Sequence, residues 1–229
     1  MTQTLIFTAT YNEKGNILNL IEKINYYCDN VNILVVDDNS PDKTGLILND
    51  LNKNLDNLIV INREKKLGLD TAHKLAYNYA IKNNYTKIIT LDADLSHDPI
   101  EIPKMIKILD NNEFVIGSRY ILGGTCEMSF LRKQLSIVGN KIIKKILKIN
   151  SHEFTTSYRG FNLSKIKKFN LNQVQSKGYS FFMETIYRLD KFGYKINEIP
   201  INFKNRTQGK SKIPKLEILR TLNNLFKLK

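Results

Sequence analysis

The chain of 229 residues contains no run of about eighteen apolar residues, so no membrane span of its own is expected. Its first residues, Met-Thr-Gln-Thr-Leu-Ile-Phe-Thr, have neither the basic n-region nor the long apolar h-region of a signal peptide, and a cytosolic location is expected. Cysteine occurs only twice, at Cys28 and Cys126, and never as Cys-x-x-Cys, which excludes a disulfide framework and a zinc-ribbon pattern. There is no internal repeat, long linker or low-complexity block, so a single folded unit is expected, and 42% hydrophobic content is ordinary for its core. Acids are in deficit: 22 Asp+Glu face 35 Lys+Arg, a formal charge of +13. That excess attracts anions of any kind, and leaves nucleic acid, anionic lipid and phosphorylated substrates all open.

What is present is a series of short apolar strands running into acids. Leu5–Ala9 leads into Thr10-Tyr11-Asn12-Glu13 and a helix carrying Ile17, Leu18, Leu20, Ile21 and Ile24; Val31–Val36 ends in Asp37-Asp38-Asn39-Ser40-Pro41-Asp42 before a helix over 44–55. A third strand, Leu58–Asn62, precedes Gly68-Leu69-Asp70 and a further helix. A fourth runs through Ile88-Ile89-Thr90-Leu91 into Asp92-Ala93-Asp94-Leu95-Ser96-His97. Alternation of this kind predicts an α/β fold with a mostly parallel sheet flanked by helices, whose ligands bind outside the carboxyl ends of the strands. If the fourth strand persists through Ala93, Asp92 and Asp94 point the same way and suit a hard divalent cation, Mg²⁺ or Mn²⁺. An isolated Asp-x-Asp is more often a strand end and helix cap than a metal site; its place beside Tyr11, Glu13, Asp37 and Asp38 at the other strand ends is what favours a metal.

The second half is less regular. A strand over 113–117 leads to Arg119, at a strand end and poised for an anion. Residues 131–149 predict a basic amphipathic helix, either an ordinary surface helix or one lying on a membrane, and Arg132, Ser136 and Asn140 share one stripe of it. Thr155–Arg159 precedes an apolar turn, Gly178–Glu184 opens a helix, and 196–203 predicts an edge strand interrupted by Pro200. A basic loop, Arg206-Thr207-Gln208-Gly209-Lys210-Ser211-Lys212, is followed over 214–229 by an amphipathic helix or tail that could dock or lie on a membrane.

Taken in order, Thr10–Glu13, Val35–Thr44, Gly68-Leu69, Leu91–His97, Gly117–Tyr120, Gly178-Tyr179 with Met183-Glu184, and Arg206–Lys212 resemble glycosyltransferase family 2, and within it the dolichol-phosphate (polyprenol-phosphate) mannosyltransferases. The resemblance spans nearly the whole chain and implies a GT-A, Rossmann-like nucleotide-sugar domain over 1–213. It implies Ala9, Tyr11, Glu13, Val36, Asp38, Asp92, Ala93, Asp94, Arg206 and Lys212 around GDP-mannose. Asp92 and Asp94, with Ser96 as a weak or water-mediated third, would hold the cation; Arg119, Arg132 and Ser136 would receive an acceptor phosphate. Asp94, Arg119 and Arg206 form the implied catalytic set, and His97 is expected to be structural. Two departures are Ala9, where the family commonly has Pro, and Glu153, where it often has Asp. With no tryptophan the chain cannot carry the Gln-x-x-Arg-Trp motif of processive polysaccharide synthases.

The resemblance thus implies an inverting, metal-dependent transfer of mannose from GDP-mannose to a polyprenyl (dolichyl) phosphate by a cytoplasmic protein peripheral to the membrane, reached through its basic helix and tail or a small membrane protein subunit. Nucleic acid is not among the expected partners. A nearer alternative keeps the fold and transfers glucose or another hexose from a UDP-sugar. A distant one is a non-enzymatic binder of nucleic acid or anionic lipid. Relatives that glycosylate hydroxyls often carry a Glu-Asp pair where this chain has Met183-Glu184-Thr185, so a phosphate acceptor is favoured.

Overall fold

The computed structural model describes residues 3–206 and 217–228; the expectations for Lys212 and for the 213/214 boundary lie outside them. Strand β1 (Thr4–Thr10) is followed by α1 (Ile17–Tyr27), β2 (Val31–Asp37), α2 (Thr44–Asn52), β3 (Leu58–Asn62), α3 (Leu69–Lys82) and β4 (Lys87–Thr90). After a short 3₁₀ turn come α4 (Ile102–Asn111), β5 (Phe114–Ser118), β6 (Thr125–Cys126), α5 (Phe130–Leu147), β7 (Arg159–Asn162), α6 (Tyr179–Lys191), β8 (Ile196–Pro200), β9 (Asn202–Phe203) and α7 (Glu217–Lys227). A seven-stranded sheet has the order β3-β2-β1-β4-β7-β5-β8, and β6 pairs with β9 separately.

Both faces of the sheet are buried, which is why its strands read as continuous apolar runs. Successive residues go to opposite sides: Leu5, Phe7, Leu34, Val36, Ile88, Phe114 and Ile116 pack under α3 and α6, whereas Ile6, Ile33, Val35, Ile89 and Val115 pack under α1, α2 and α4. Strand order reverses between β1 and β4, whose parallel pairing places Thr10 and Leu91 at neighbouring carboxyl ends. A switch point of this kind opens a crevice.

Two differences from the sequence expectation bear on the site. The residues after Ser157 form no turn but a central strand: β7 runs antiparallel between β4 and β5, pairing Ile89 with Gly160 and Ile116 with Arg159. Four residues, Arg-Gly-Phe-Asn, are too few and too mixed to show an alternating pattern. Second, β4 ends at Thr90, so Asp92 and Asp94 do not share a pleat; Leu95, at φ +63°, turns the chain sharply behind them. The 196–203 segment divides at Ile201 into β8 and β9, which join different sheets.

Helix α7 docks by its buried Leu225 into the core under α6, leaving Phe226 outside. Among the described residues no helix is long and apolar enough to cross a membrane.

Gly160 lets β7 sit at the centre of the sheet, since a Cβ there would lie 2.7 Å from Leu109 Cδ1 and 2.9 Å from Val115 Cγ1. Gly160→Ala should therefore lower the unfolding free energy by about 1–3 kcal/mol, read as a shift in the urea midpoint without a change in slope.

Candidate active site

The loops after β1 and β2 are tied to each other before any ligand arrives. Asp37 at the end of β2 accepts from Thr10 Oγ1 at 2.8 Å, Ser40 Oγ at 2.5 Å and Ser40 N at 2.9 Å. Ser40 Oγ accepts from Asn12 N at 2.9 Å, and Thr44 Oγ1 from Glu13 N at 3.1 Å. Asn12 and Asn39 sit at φ +59° and +56°, conformations that Asn tolerates better than bulkier residues. These bonds hold Tyr11 and Glu13 along one wall of the crevice; Lys66 lies 4.0 Å over the Tyr11 ring, and Glu13 is bound by Asn16 at 2.8 Å.

Asp38 lies on the same wall, paired with Arg63 just beyond β3, and accepts from Gly68 N at 3.3 Å. Burial pushes its carboxyl up, while Arg63 and the backbone N–H groups pull against that. Ala9 and Val36 are direct partners across β1 and β2, and the Val36 side chain is fully buried in the core, so only its backbone borders the crevice.

At the floor, Asp94 is nearly buried, and its Oδ2 lies 2.8 Å from Arg206 Nη2. Its Oδ1 accepts from Ser96 Oγ at 2.6 Å and Ser96 N at 3.1 Å, so Ser96 orients Asp94 from behind. Asp92 Oδ1 accepts from Ser157 Oγ at 2.5 Å. Loss of solvent raises the Asp92 carboxyl first; His97 opposes this, Asp94 adds to it by like-charge repulsion, and Ser157 and Arg206 oppose it further. Ala93, between the two acids, is buried.

His97 Nδ1 accepts from Asp92 N at 3.2 Å, and Nε2 lies 3.0 Å from Thr156 Oγ1. Those partners fix the tautomer with the proton on Nε2, and burial holds the ring neutral by lowering its pKa. Wedged between Tyr158 and Phe203, it is a rivet for the turn.

In the sequence the segment 153–158 stands out only by the departure at Glu153 and as a polar run before a turn; its supporting role comes from the fold. Ser157 holds Asp92, Thr156 meets His97, and Glu153 takes both Arg119 Nε at 2.7 Å and Nη2 at 2.9 Å. Arg159 fastens the segment from beneath: fully buried, it donates to the carbonyls of Phe154, Thr156 and Phe182 at 2.7–2.8 Å and lies over the Phe182 ring. Burial lowers its pKa to about 9. A lone arginine in a four-residue strand gives no sequence signal for that role.

Arg119 is thus almost buried and bidentate on Glu153, one aromatic ring from the floor, with its guanidinium 5.1 Å over Phe203, whose other neighbour is His97. It also borders a cleft of about 290 Å³ whose α5 wall includes Lys133, Lys141 and Lys144. Ser136 faces Tyr120, accepting from its hydroxyl at 2.7 Å, whereas Arg132 is exposed on α5. Tyr179, at the start of α6, feels the charges of Asp92, Arg119, Arg206 and Asp94 together; burial raises its phenol well above the ordinary value. It belongs with the site, and the Gly-Tyr pair at 178–179 was its sequence signal. Arg63 and Lys66 were missed because single basic residues after β3 carry no pattern.

Two carboxylates at one floor, one of them already facing a guanidinium, suit a hard cation that leaves its other positions to water and phosphate. Among the described residues no group of three or more His, Cys, Asp and Glu forms a fully protein-built cage. The residues present therefore fit a cation shared with a ligand.

The model of the family described as "Glycosyl transferase family 2" matches residues 5–169. Polyprenol monophosphomannose synthase of Mycolicibacterium smegmatis is 34% identical over 214 residues, 92% of this chain and 81% of that protein. Undecaprenyl-phosphate mannosyltransferase of Micrococcus luteus is 29% identical over 212 residues, covering 92% and 87%. Among solved structures, glucosyl-3-phosphoglycerate synthase of Mycobacterium tuberculosis with Mn²⁺ and UDP superposes with a TM-score of 0.69 at 14% identity, over 99% of this chain and 78% of that one. A Pyrobaculum calidifontis mannosyltransferase with GDP-Man and Mn²⁺ gives 0.58 at 16%, over 90% and 58%. The fold is GT-A.

The buried Glu153–Arg119 pair makes a stability prediction. Burial alone would raise the Glu153 carboxyl, but Arg119 and Thr155 outweigh it and hold it below the ordinary carboxylate range. Its stabilisation is then complete above about pH 4.5 and is lost as pH falls through the lowered value. Glu153→Gln should cost about 3–5 kcal/mol at pH 7 by leaving a buried guanidinium unpaired. Denaturant midpoints at pH 7 and pH 3 should lie closer together in the variant than in the wild type.

Proposed function

The chain belongs to glycosyl transferase family 2, and on that premise we propose that it transfers mannose from GDP-mannose to a polyprenyl phosphate, with inversion and with a divalent cation, at the cytoplasmic face of a membrane. The observation that carries this reading is the meeting of Asp94, from the turn after β4, with Arg206 at the start of the basic loop, beside Asp92 and at the switch point of the sheet. A nucleoside would lie along the wall of Tyr11, Glu13 and Asp38, with its diphosphate over the floor. Bound there by Asp92 and Asp94, Mg²⁺ or Mn²⁺ would neutralise the leaving diphosphate. Ser96 and Ser157 fix the two carboxylates, and Arg206, followed by Lys212, supplies positive charge to the departing GDP.

The acceptor needs no general base. A phosphate monoester, with a second pKa of about 6, is already ionised near neutral pH. Its oxygen attacks the anomeric carbon in line as the bond to the GDP β-phosphate breaks, through an oxocarbenium-like state that inverts the centre. Glu184, on the helix where hydroxyl-glycosylating relatives carry their base, is committed elsewhere: it accepts from Ser176 N at 2.7 Å, Gln175 N at 3.1 Å and Arg188 Nε at 2.6 Å. Burial raises its carboxyl, but those donors prevail and leave it below its ordinary value, ionised and locked. The acceptor phosphate would approach on the side of Arg119 and Ser136, with Arg132 at its outer edge.

Purified protein incubated with polyprenyl phosphate, a divalent cation and labelled GDP-mannose, UDP-glucose or other nucleotide sugars should give a mannolipid from GDP-mannose. A product only from a UDP-sugar would transfer the reading to that donor, and no product from any donor would refute it. Asp92→Asn and Asp94→Asn should each lower turnover by about a hundredfold or more while the thermal midpoint stays near that of the wild type. An electrostatic binder of nucleic acid or lipid would be unharmed or improved by losing an acid.

A further inference from the structure

The two oxygens of Asp94 are held differently. Ser96 fills Oδ1 with two donors, its hydroxyl at 2.6 Å and its N–H at 3.1 Å, which take up both lone-pair directions of that oxygen. Only Oδ2 is then left to turn to a cation shared with Asp92, and Oδ2 already lies 2.8 Å from Arg206 Nη2. The Asp94 side chain is 7% exposed and that of Arg206 29%, so the guanidinium is the outer partner of the pair. The backbone that leads from β9 to Arg206 is fixed on three sides. Lys204 N donates to Ser96 O at 3.0 Å, Lys204 Nζ to Asp98 at 2.8 Å, and Asn205 N to Glu127 Oε2 at 3.0 Å. What can change partner at this point is the Arg206 guanidinium, on its flexible stem.

We propose that Arg206 competes with the divalent cation for Asp94 Oδ2, and that the diphosphate of the donor decides the competition by drawing the guanidinium onto itself. Two positive charges on one carboxylate oxygen repel each other, and a guanidinium meets phosphate oxygens in a bidentate, charge-assisted geometry. While Arg206 is the counter-charge of Asp94, it holds the affinity for a bare cation down. When Arg206 passes to a diphosphate, Oδ2 turns to the cation and the floor regains a full complement of charge. Cation and nucleotide therefore bind with positive coupling, and by linkage each raises the affinity of the other by the same factor. The inference deepens the proposed function and rests on its nucleoside-diphosphate donor. It makes Arg206 the residue that ties completion of the cation site to the presence of nucleotide, in addition to the charge it supplies to the leaving group.

The test is a binding cycle on the full chain. Mn²⁺ affinity is measured by electron paramagnetic resonance with and without GDP, and GDP affinity by calorimetry with and without Mn²⁺. Both are done on the wild type and on Arg206→Gln, whose folding is checked by its thermal midpoint. In the wild type each ligand should tighten the other by about tenfold or more. Arg206→Gln should move the two Mn²⁺ affinities in opposite directions, several-fold tighter without nucleotide and weaker with GDP, so that the coupling collapses. A Mn²⁺ affinity that rises in both states would reveal a fixed charge that never leaves Asp94, and one that falls or stays unchanged without nucleotide would show that Arg206 does not compete. Either result would overturn the proposal. Repeating the cycle with UDP separates it from the donor reading. Opposite shifts with UDP but not with GDP would uphold the exchange and refute a guanosine donor. Mannosyl transfer from GDP-mannose by a wild type whose cation-alone affinity is indifferent to Arg206→Gln would do the reverse.

Discussion

Carboxylates gathered at one end of a sheet repel one another, and the structure of this site depends on how each is held. Asp94 faces Arg206, Asp38 faces Arg63, Asp98 faces Lys204, and Asp37 is ringed by Thr10 and Ser40. Asp92, like Asp37, is held by a neutral hydroxyl, that of Ser157, but it also lies in the field of a second carboxylate, Asp94, and the neighbouring His97 is itself neutral. With like charge nearby and no full counter-charge of its own, Asp92 is the carboxylate that gains most from an added cation. The energetic strain of the floor and its proposed chemistry are in this sense the same fact.

The rigidity that such a floor requires comes from behind it. Arg159 joins three backbone carbonyls from two separate segments, and through the 153–158 strip it fixes Ser157, Thr156 and Glu153, hence Asp92, His97 and Arg119. Without Gly160 next to it, β7 could not enter between β4 and β5. Arg119 is therefore a positioned charge whose field reaches past the Phe203 ring, and only part of it faces the cleft beside α5.

The first half of the fold was legible because both faces of its sheet are buried: the strands to β4 show as apolar runs, and each is followed by a helix with a plain core face. Acids at the ends of β2 and β4 and polar residues after β1 then located the crevice. The basis for pairing Asp92 with Asp94 is different in detail: β4 ends at Thr90, and the two acids stand in the turn that follows it rather than on one pleat. Strand β7 was illegible, being short, mixed and set antiparallel by long-range pairing that leaves no periodicity. Helix α5 was legible as amphipathic, but the sequence could not say which apolar stripe faces the core; packing gave that place to Ile143 and left Leu135, Val138 and Ile142 outside.

On the proposed function, Asp92 and Asp94 hold a divalent cation together with a guanosine diphosphate. Electron paramagnetic resonance of Mn²⁺ titrated into the protein tests it most directly. One tightly held Mn²⁺ per chain is expected in the presence of GDP, with much weaker binding without the nucleotide and loss of that site in Asp92→Asn. Tight GDP binding that is indifferent to Mn²⁺, or a Mn²⁺ signal unchanged by that substitution, would contradict it.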